Sequence, residues 1–138
     1  MVDSLSTSLS GLRAESKRVS VAASNIANVR TSGTVPTNTP NAEPSTVYRA
    51  QELQQSSVVT GGAGSGVQTT ISERSDGISV VFDPSSIFAD EDGLIAIPNI
   101  DLSKEVVDLL TAKTAYKANV FALKVADEVS DALLDTLA

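Results

Sequence analysis

Residues 101–138 read DLSKEVVDLLTAKTAYKANVFALKVADEVSDALLDTLA, and their periodicity decides the fold. Leu102, Val106, Leu109, Lys113, Tyr116, Val120, Leu123, Asp127, Ser130, Leu134 and Leu137 recur at heptad spacing, the period of one helix face. A second row, Leu110, Ala112, Ala126, Val129 and Leu133, runs beside it. Lys113, Asp127 and Ser130 interrupt the first row, so the contact face is expected to drift onto the second. Pro98 and Asn99 precede the run, and Asp101 is placed to cap it. A helix of about 36 residues is about 54 Å long. A chain of 138 residues has no core long enough to cover it. The spacing therefore predicts a helix partly covered by neighbouring subunits; the plainer alternative is a hairpin packed on itself.

The opposite end of the chain carries a matching arm. Val2, Leu5, Leu9, Leu12, Ser16, Val19, Ala23 and Ile26 follow a 3-4 spacing, the seam of a coiled coil. Ser16 and Ala23 are small, so the seam thins there. Residues 1–28 also contain seven Ser and one Thr, which are mediocre helix formers. Alone in water such a helix is marginal, and it needs a partner surface to persist.

Between the arms the composition changes. Three segments follow: a helical arm over 1–32, an extended connection with a small β-rich insert over 33–99, and a second helical arm over 100–138. The fold class is α+β, with the two terminal helices forming an antiparallel, coiled-coil-like pair. Residues 31–46, rich in Pro, Thr and Asn, read as an extended connection. Residues 47–59 are ambiguous between strand and helical turn. Gly61–Gly66 reads as a linker or loop tip. Val67, Thr69 and Ile71 alternate with polar residues, and so do Ile78, Val80 and Phe82. These two runs are expected to pair as a hairpin that turns at Arg74–Gly77, with Leu94–Ile97 as a third short strand.

Charge follows the same division. Arg13, Lys17, Arg18 and Arg30 against Asp3 and Glu15 give the first arm +2; the middle carries −6 and the last arm −3. A basic arm and an acidic arm suit mutual attraction, within a chain or between chains. The net charge of −7 argues against a nucleic-acid partner. There is no Cys and no His, which excludes disulfides, Cys/His zinc sites, imidazole-based triads and His-ligated haem. No apolar run is long enough to span a membrane, and the first residues lack the pattern of a cleaved signal peptide.

The chemical motifs are weak. The Gly-rich loop lacks the Gly-Lys-Ser/Thr ending of a phosphate cradle. Asp90-Glu91-Asp92-Gly93 lacks the spacing of a calcium loop, since Asn99 stands six residues after the Gly. It reads as a solvated acidic turn. No catalytic constellation is present, so no enzyme, cofactor or metal is expected.

Three further stretches carry a resemblance. Ser24-Asn25-Ile26-Ala27-Asn28, closing a Ser-rich helix, resembles the signature of bacterial flagellar rod and hook proteins. Tyr116-Lys117-Ala118-Asn119 is similar to that family's closing helix. Phe82-Asp83-Pro84, Ala89–Gly93 and Ile97-Pro98-Asn99-Ile100 resemble its short rod subunits, and the length fits these better than the longer distal-rod or hook proteins. The resemblance spans both arms and residues 82–100, and is weak over 33–66. Ser103-Lys104-Glu105-Val106 departs from the paired acids and Met common in the family, and Val47 replaces a frequent Pro before the Tyr-Xaa-Arg element.

The resemblance implies a structural subunit of the flagellar basal-body proximal rod, a hollow shaft that carries motor torque across the periplasm. The terminal helices would line an inner tube. Implied partners are other copies of the chain, other rod proteins, neighbours at the basal ring and export gate, and the flagellar type III export apparatus. Export would proceed without leader cleavage, with neither nucleic acid nor a small-molecule substrate involved. Assembly contacts are expected at Leu5, Leu9, Leu12, Val19, Asn25, Ile26, Asn28, Val106, Leu109, Tyr116, Asn119, Val120, Leu123 and Leu134. The alternative function is a soluble coiled-coil adaptor or secretion chaperone.

Overall fold

A computed structural model describes residues 2–36 and 46–137. The element order is α1 (Val2–Asn28), β1 (Gln51–Thr60), β2 (Ala63–Glu73), β3 (Ile78–Phe82), β4 (Leu94–Pro98) and α2 (Leu102–Leu137). Residues 37–45, within the expected extended connection, lie outside the described residues.

The two helices pack antiparallel. Gly11 of α1 faces Asn119 of α2, Asn25 bonds Glu105, and Leu5 shares a surface depression with Val120, Leu123 and Asp127. Asp101 caps α2 as expected: its Oδ1 accepts from the N–H of Ser103 at 2.9 Å and of Lys104 at 3.2 Å.

Small residues make the seam between the helices. Ala14 and Ala22 on α1 and Ala112 on α2 are buried, while Gly11 meets the Asn119 carboxamide so closely that a Cβ there would overlap it. Residues of this size bring the helix axes to the near end of the usual range, about 8 Å. On α2 Glu105 and Ala112 are buried, and Asp108, Leu109, Ala115, Asn119, Leu123, Ala126 and Ser130 are half-buried. Leu109, Leu123 and Ser130 belong to the expected heptad, and the other positions lie one residue N-terminal to it.

The insert forms two antiparallel two-stranded sheets, β1–β2 and β3–β4. The expected pairing of Val67–Ile71 with Ile78–Phe82 does not form. Its turn exists, since the Gly77 N–H donates to the Arg74 carbonyl at 3.0 Å. Ala50, however, occupies the ladder position beyond it. Its N–H donates to Gly77 O at 3.0 Å, and its carbonyl accepts from Arg74 N at 2.8 Å. Residues 51–60, overlapping most of the ambiguous stretch 47–59, are a strand that takes β2 over a ten-residue register, and β4 takes β3.

Gly61 and Gly62, both at positive φ, make the two-residue turn between β1 and β2, as a tight hairpin of this hand requires. Val58 pairs with Gly66 and Val59 with Gly64, leaving Ser65 as a bulge. The hairpin lies along α1: the Val67 N–H donates to Ser10 Oγ at 3.0 Å, and Lys17 Nζ donates to Thr69 Oγ1 at 3.0 Å.

The smaller sheet sits at the joint. Gly33, just beyond α1, bridges Ala96 through two 3.0 Å backbone bonds, so β4 lies between β3 and the exit of α1. In the acidic turn before β4, Asp90 Oδ1 accepts from the N–H of Asp92 at 3.0 Å and of Leu94 at 2.8 Å.

Candidate functional site

Two features stand out along the helical pair: a saturated polar anchor at one end and an open apolar surface along the rest. The anchor centres on Asn25, at 1% exposure the largest fully buried side chain among the described residues. Its position on the buried row of α1 points it at both α2 and the start of β1. Nδ2 donates to Glu105 Oε1 and to the Gln51 carbonyl, each at 2.9 Å. Oδ1 accepts from the Gln51 N–H at 3.0 Å and the Tyr48 hydroxyl at 2.9 Å. A carboxamide offers two donors and two lone pairs, and all are filled here. Asn25 thereby joins α1, α2 and β1 at one point.

Glu105 is buried beside it, 5% exposed. Burial pushes its carboxyl above the usual carboxylate range. The Asn25 hydrogen bond opposes that shift, the Asp108 charge adds to it, and Lys104 and Arg74 offset part of it. Burial likewise raises the Tyr48 phenol, with the Glu105 charge adding to the effect. At the neighbouring turn the Arg74 guanidinium, paired with Asp76 at 3.1 Å, holds that exposed carboxyl low.

The expected contact residues divide into three groups. Asn25 belongs to the chain's interior, which corrects its placement among the assembly contacts: no face of it is left for a neighbour. Asn28 Nδ2 donates to Ser24 O at 2.8 Å and Asn119 Nδ2 to Ala115 O at 3.1 Å, so both bond their own helices. Leu5, Leu12, Ile26, Leu109 and Leu123 are half-buried along the pair. Leu9, Val19, Val106, Tyr116, Val120 and Leu134 are exposed, Leu134 to 67%.

The exposed apolar surface is wider than the sequence pattern alone suggests. Val107, Leu110, Phe121, Val125, Val129 and Leu133 join it on α2, with Phe121 69% exposed. These positions spread over much of the solvent-facing side of α2. Among the described residues no group of His, Cys, Asp or Glu could hold a metal, and no helix is long and apolar enough to cross a membrane.

Tyr48 and Gln51 were not foreseen as partners of Asn25. Local pattern gives little sign of them, because the contacts span 23 and 26 residues of chain. The one available signal was an Asn on the small-residue row of an otherwise Ser-rich helix.

Comparison with known proteins assigns the arms. Residues 5–33 match the model of the flagella basal body rod protein family. Residues 91–136 match that of the flagellar basal body rod FlgEFG protein C-terminal region. Together these cover α1 to the Gly33 bridge and then β4 and α2. The chain is 33% identical over 130 residues to the flagellar basal-body rod protein FlgC of Salmonella typhimurium, covering 93% of this chain and 89% of that protein. It is 32% identical to FlgC of Bacillus subtilis, covering 87% of each. To FlgC of Aquifex aeolicus it is 32% identical, covering 92% of this chain and 90% of that protein. The chain belongs to the flagellar basal-body rod protein family, as a FlgC-like structural rod subunit.

Proposed function

We propose that this chain builds the proximal part of the rod without catalysis, packing the outer apolar rows of α1 and α2 against neighbouring copies and other rod proteins. The helical unit of residues 1–32 and 100–138 forms the wall of a hollow shaft, and residues 33–99 stand outside it. The shaft transmits torque across the periplasm, and its subunits arrive through the flagellar type III export apparatus. The basal ring and export gate bound it at its inner end.

One observation carries this reading. Within the chain the closest helix contacts are made by Gly11, Ala112, Asn25 and Asn119, with Leu5, Leu12, Leu109 and Leu123 half-buried, while the large residues Val106, Leu110, Tyr116, Val120 and Phe121 are left exposed. Each such side chain gains about 1.5–3 kcal/mol when fully removed from water, and the isolated chain leaves much of that gain unused. The Ser-rich α1 and the absence of Cys keep the chain easy to unfold for passage through a narrow channel.

The test is Val120→Asp in cells whose only copy carries the change. Val120 is exposed, so the purified variant should unfold within about 0.5 kcal/mol of the natural chain. A carboxylate at a closed apolar interface is strongly disfavoured. The variant should therefore be absent from isolated basal bodies, and the cells non-motile. Normal incorporation would mean that this row faces solvent in the assembly, and the shared-wall reading would fall.

A further inference from the structure

A groove of about 710 Å³ runs between α1 and the β1–β2 hairpin, lined by Ala14, Val58 and Val67 together with Arg13 and Lys17. Arg13 and Lys17 stand one helical turn apart on α1. No described carboxylate lies within ion-pair distance of either; Lys17 Nζ has only the neutral Thr69 hydroxyl.

The last turns of α2 have the opposite character. Every residue from Asp131 to Thr136 is exposed, and the helix runs about 10 Å past the start of α1. Asp131 and Asp135 lie one turn apart, with the exposed Leu134 beside them. The last turn of α2 contains no basic residue. Acidic groups at a helix C-terminus oppose the helix dipole, so this end is short of a cationic partner. It cannot use the groove of its own chain: Asn119 lies against Gly11, and Asp131 stands about 18 Å further along α2, away from that groove.

We propose that the last turns of α2 in one copy seat in the groove between α1 and the β1–β2 hairpin of a second copy, with Asp131 and Asp135 facing Arg13 and Lys17 and with Leu134 against Val58 and Val67. The inference rests on the rod reading above and adds a specific neighbour contact to it. Carboxylates one turn apart meet cations one turn apart, and the exposed Leu134 beside them meets the apolar lining of the groove. The two surfaces differ, so the contact is head-to-tail and generates an open helical array, not a closed dimer. A single helix end buries little area, so the contact is weak between free chains and strong only where the other helix rows are also engaged.

The natural chain has no cysteine, so a designed pair reports without background. Lys17→Cys with Asp135→Cys in the full chain, expressed as the only copy, should give a ladder of disulfide-linked chains when isolated basal bodies are mildly oxidised. Either change alone should give no ladder. Incorporation at the natural level without a ladder would overturn the inference and leave the rod reading intact. Absence of the natural chain from basal bodies would overturn both.

A charge exchange decides the matter if the cysteine pair fails to assemble. Arg13→Glu with Lys17→Glu, and separately Asp131→Lys with Asp135→Lys, should each reduce incorporation about tenfold. All four changes together should restore it to within about threefold. Failure of the combination to rescue would overturn the inference.

Discussion

The two ends of the helical pair are held by different physics. At the joint, where α1 meets α2 and β1, Asn25 makes four hydrogen bonds, to α2, to β1 and to Tyr48 just before β1. At the far end Leu5 and Leu123 line an open depression, and α2 runs on past the start of α1. Polar networks fix geometry, because a partly satisfied one is heavily penalised. Apolar contacts tolerate sliding and exchange of partners. The difference teaches that the fold fixes the angle and register of its helices with polar bonds at one end and holds the other end with apolar contacts alone.

The comparison breaks most severely at Asn25. Asn25→Ala strands the Gln51 N–H and carbonyl and leaves Glu105 buried without its donor. Equilibrium urea unfolding should show a loss of about 2–4 kcal/mol. A loss below about 1 kcal/mol would mean that water replaces the side chain without penalty and that the joint is not the fixed end. Next in size is Gly11→Leu, which wedges the small-residue seam against Asn119. Overpacking of this kind costs about 1–3 kcal/mol. The same unfolding measurement checks it, and an unchanged midpoint would show that the helices separate freely there.

The smallest effect sharpens the picture by pH. The Glu105 carboxyl titrates higher in the fold than its ordinary value of 4.5. The folded state therefore binds its proton more readily than the unfolded chain does. This group's contribution to stability is fully present below pH 4.5 and is lost as pH rises through the raised value. Glu105→Gln keeps an acceptor for Asn25 and removes the charge. Stability measured from pH 4.5 upward should fall less steeply in the variant, which should be at least as stable as the natural chain at neutral pH. An identical slope in both proteins would mean that Glu105 is not the titrating group.

Both helices, the Asp101 cap and the short strand β4 were legible in the sequence, because each rests on local signals: heptad spacing, a capping side chain, and a run of Leu94-Ile95-Ala96-Ile97. The strand β1 was not. Gln51–Thr60 has Leu53 and Val58 half-buried and most other positions exposed, so it has little alternation to read. Its pairing depends on the Gly61-Gly62 turn and on Ser10 fixing β2 to α1. The mistaken hairpin followed from two well-patterned strands joined by a plausible turn; only Ala50, arriving from elsewhere, occupies the position between them. The seam between the helices was half legible. The heptads included Leu5, Leu12, Leu109 and Leu123, which are half-buried along it, whereas the closest contacts fall on Gly11, Ala112, Asn25 and Asn119, residues that a hydrophobic pattern does not weigh.

That division between a small-residue inner row and a large-residue outer row has an evolutionary consequence. On the shared-wall reading proposed above, a substitution at Tyr116, Val120 or Phe121 changes what the helix meets without touching Ala14, Ala22 or Ala112, so it alters the partner and spares the fold. After duplication of such a gene, each daughter is free to acquire a different neighbour by drift and selection on the outer row alone. A shaft assembled from several related subunits in fixed sequence is the kind of structure that this freedom can produce.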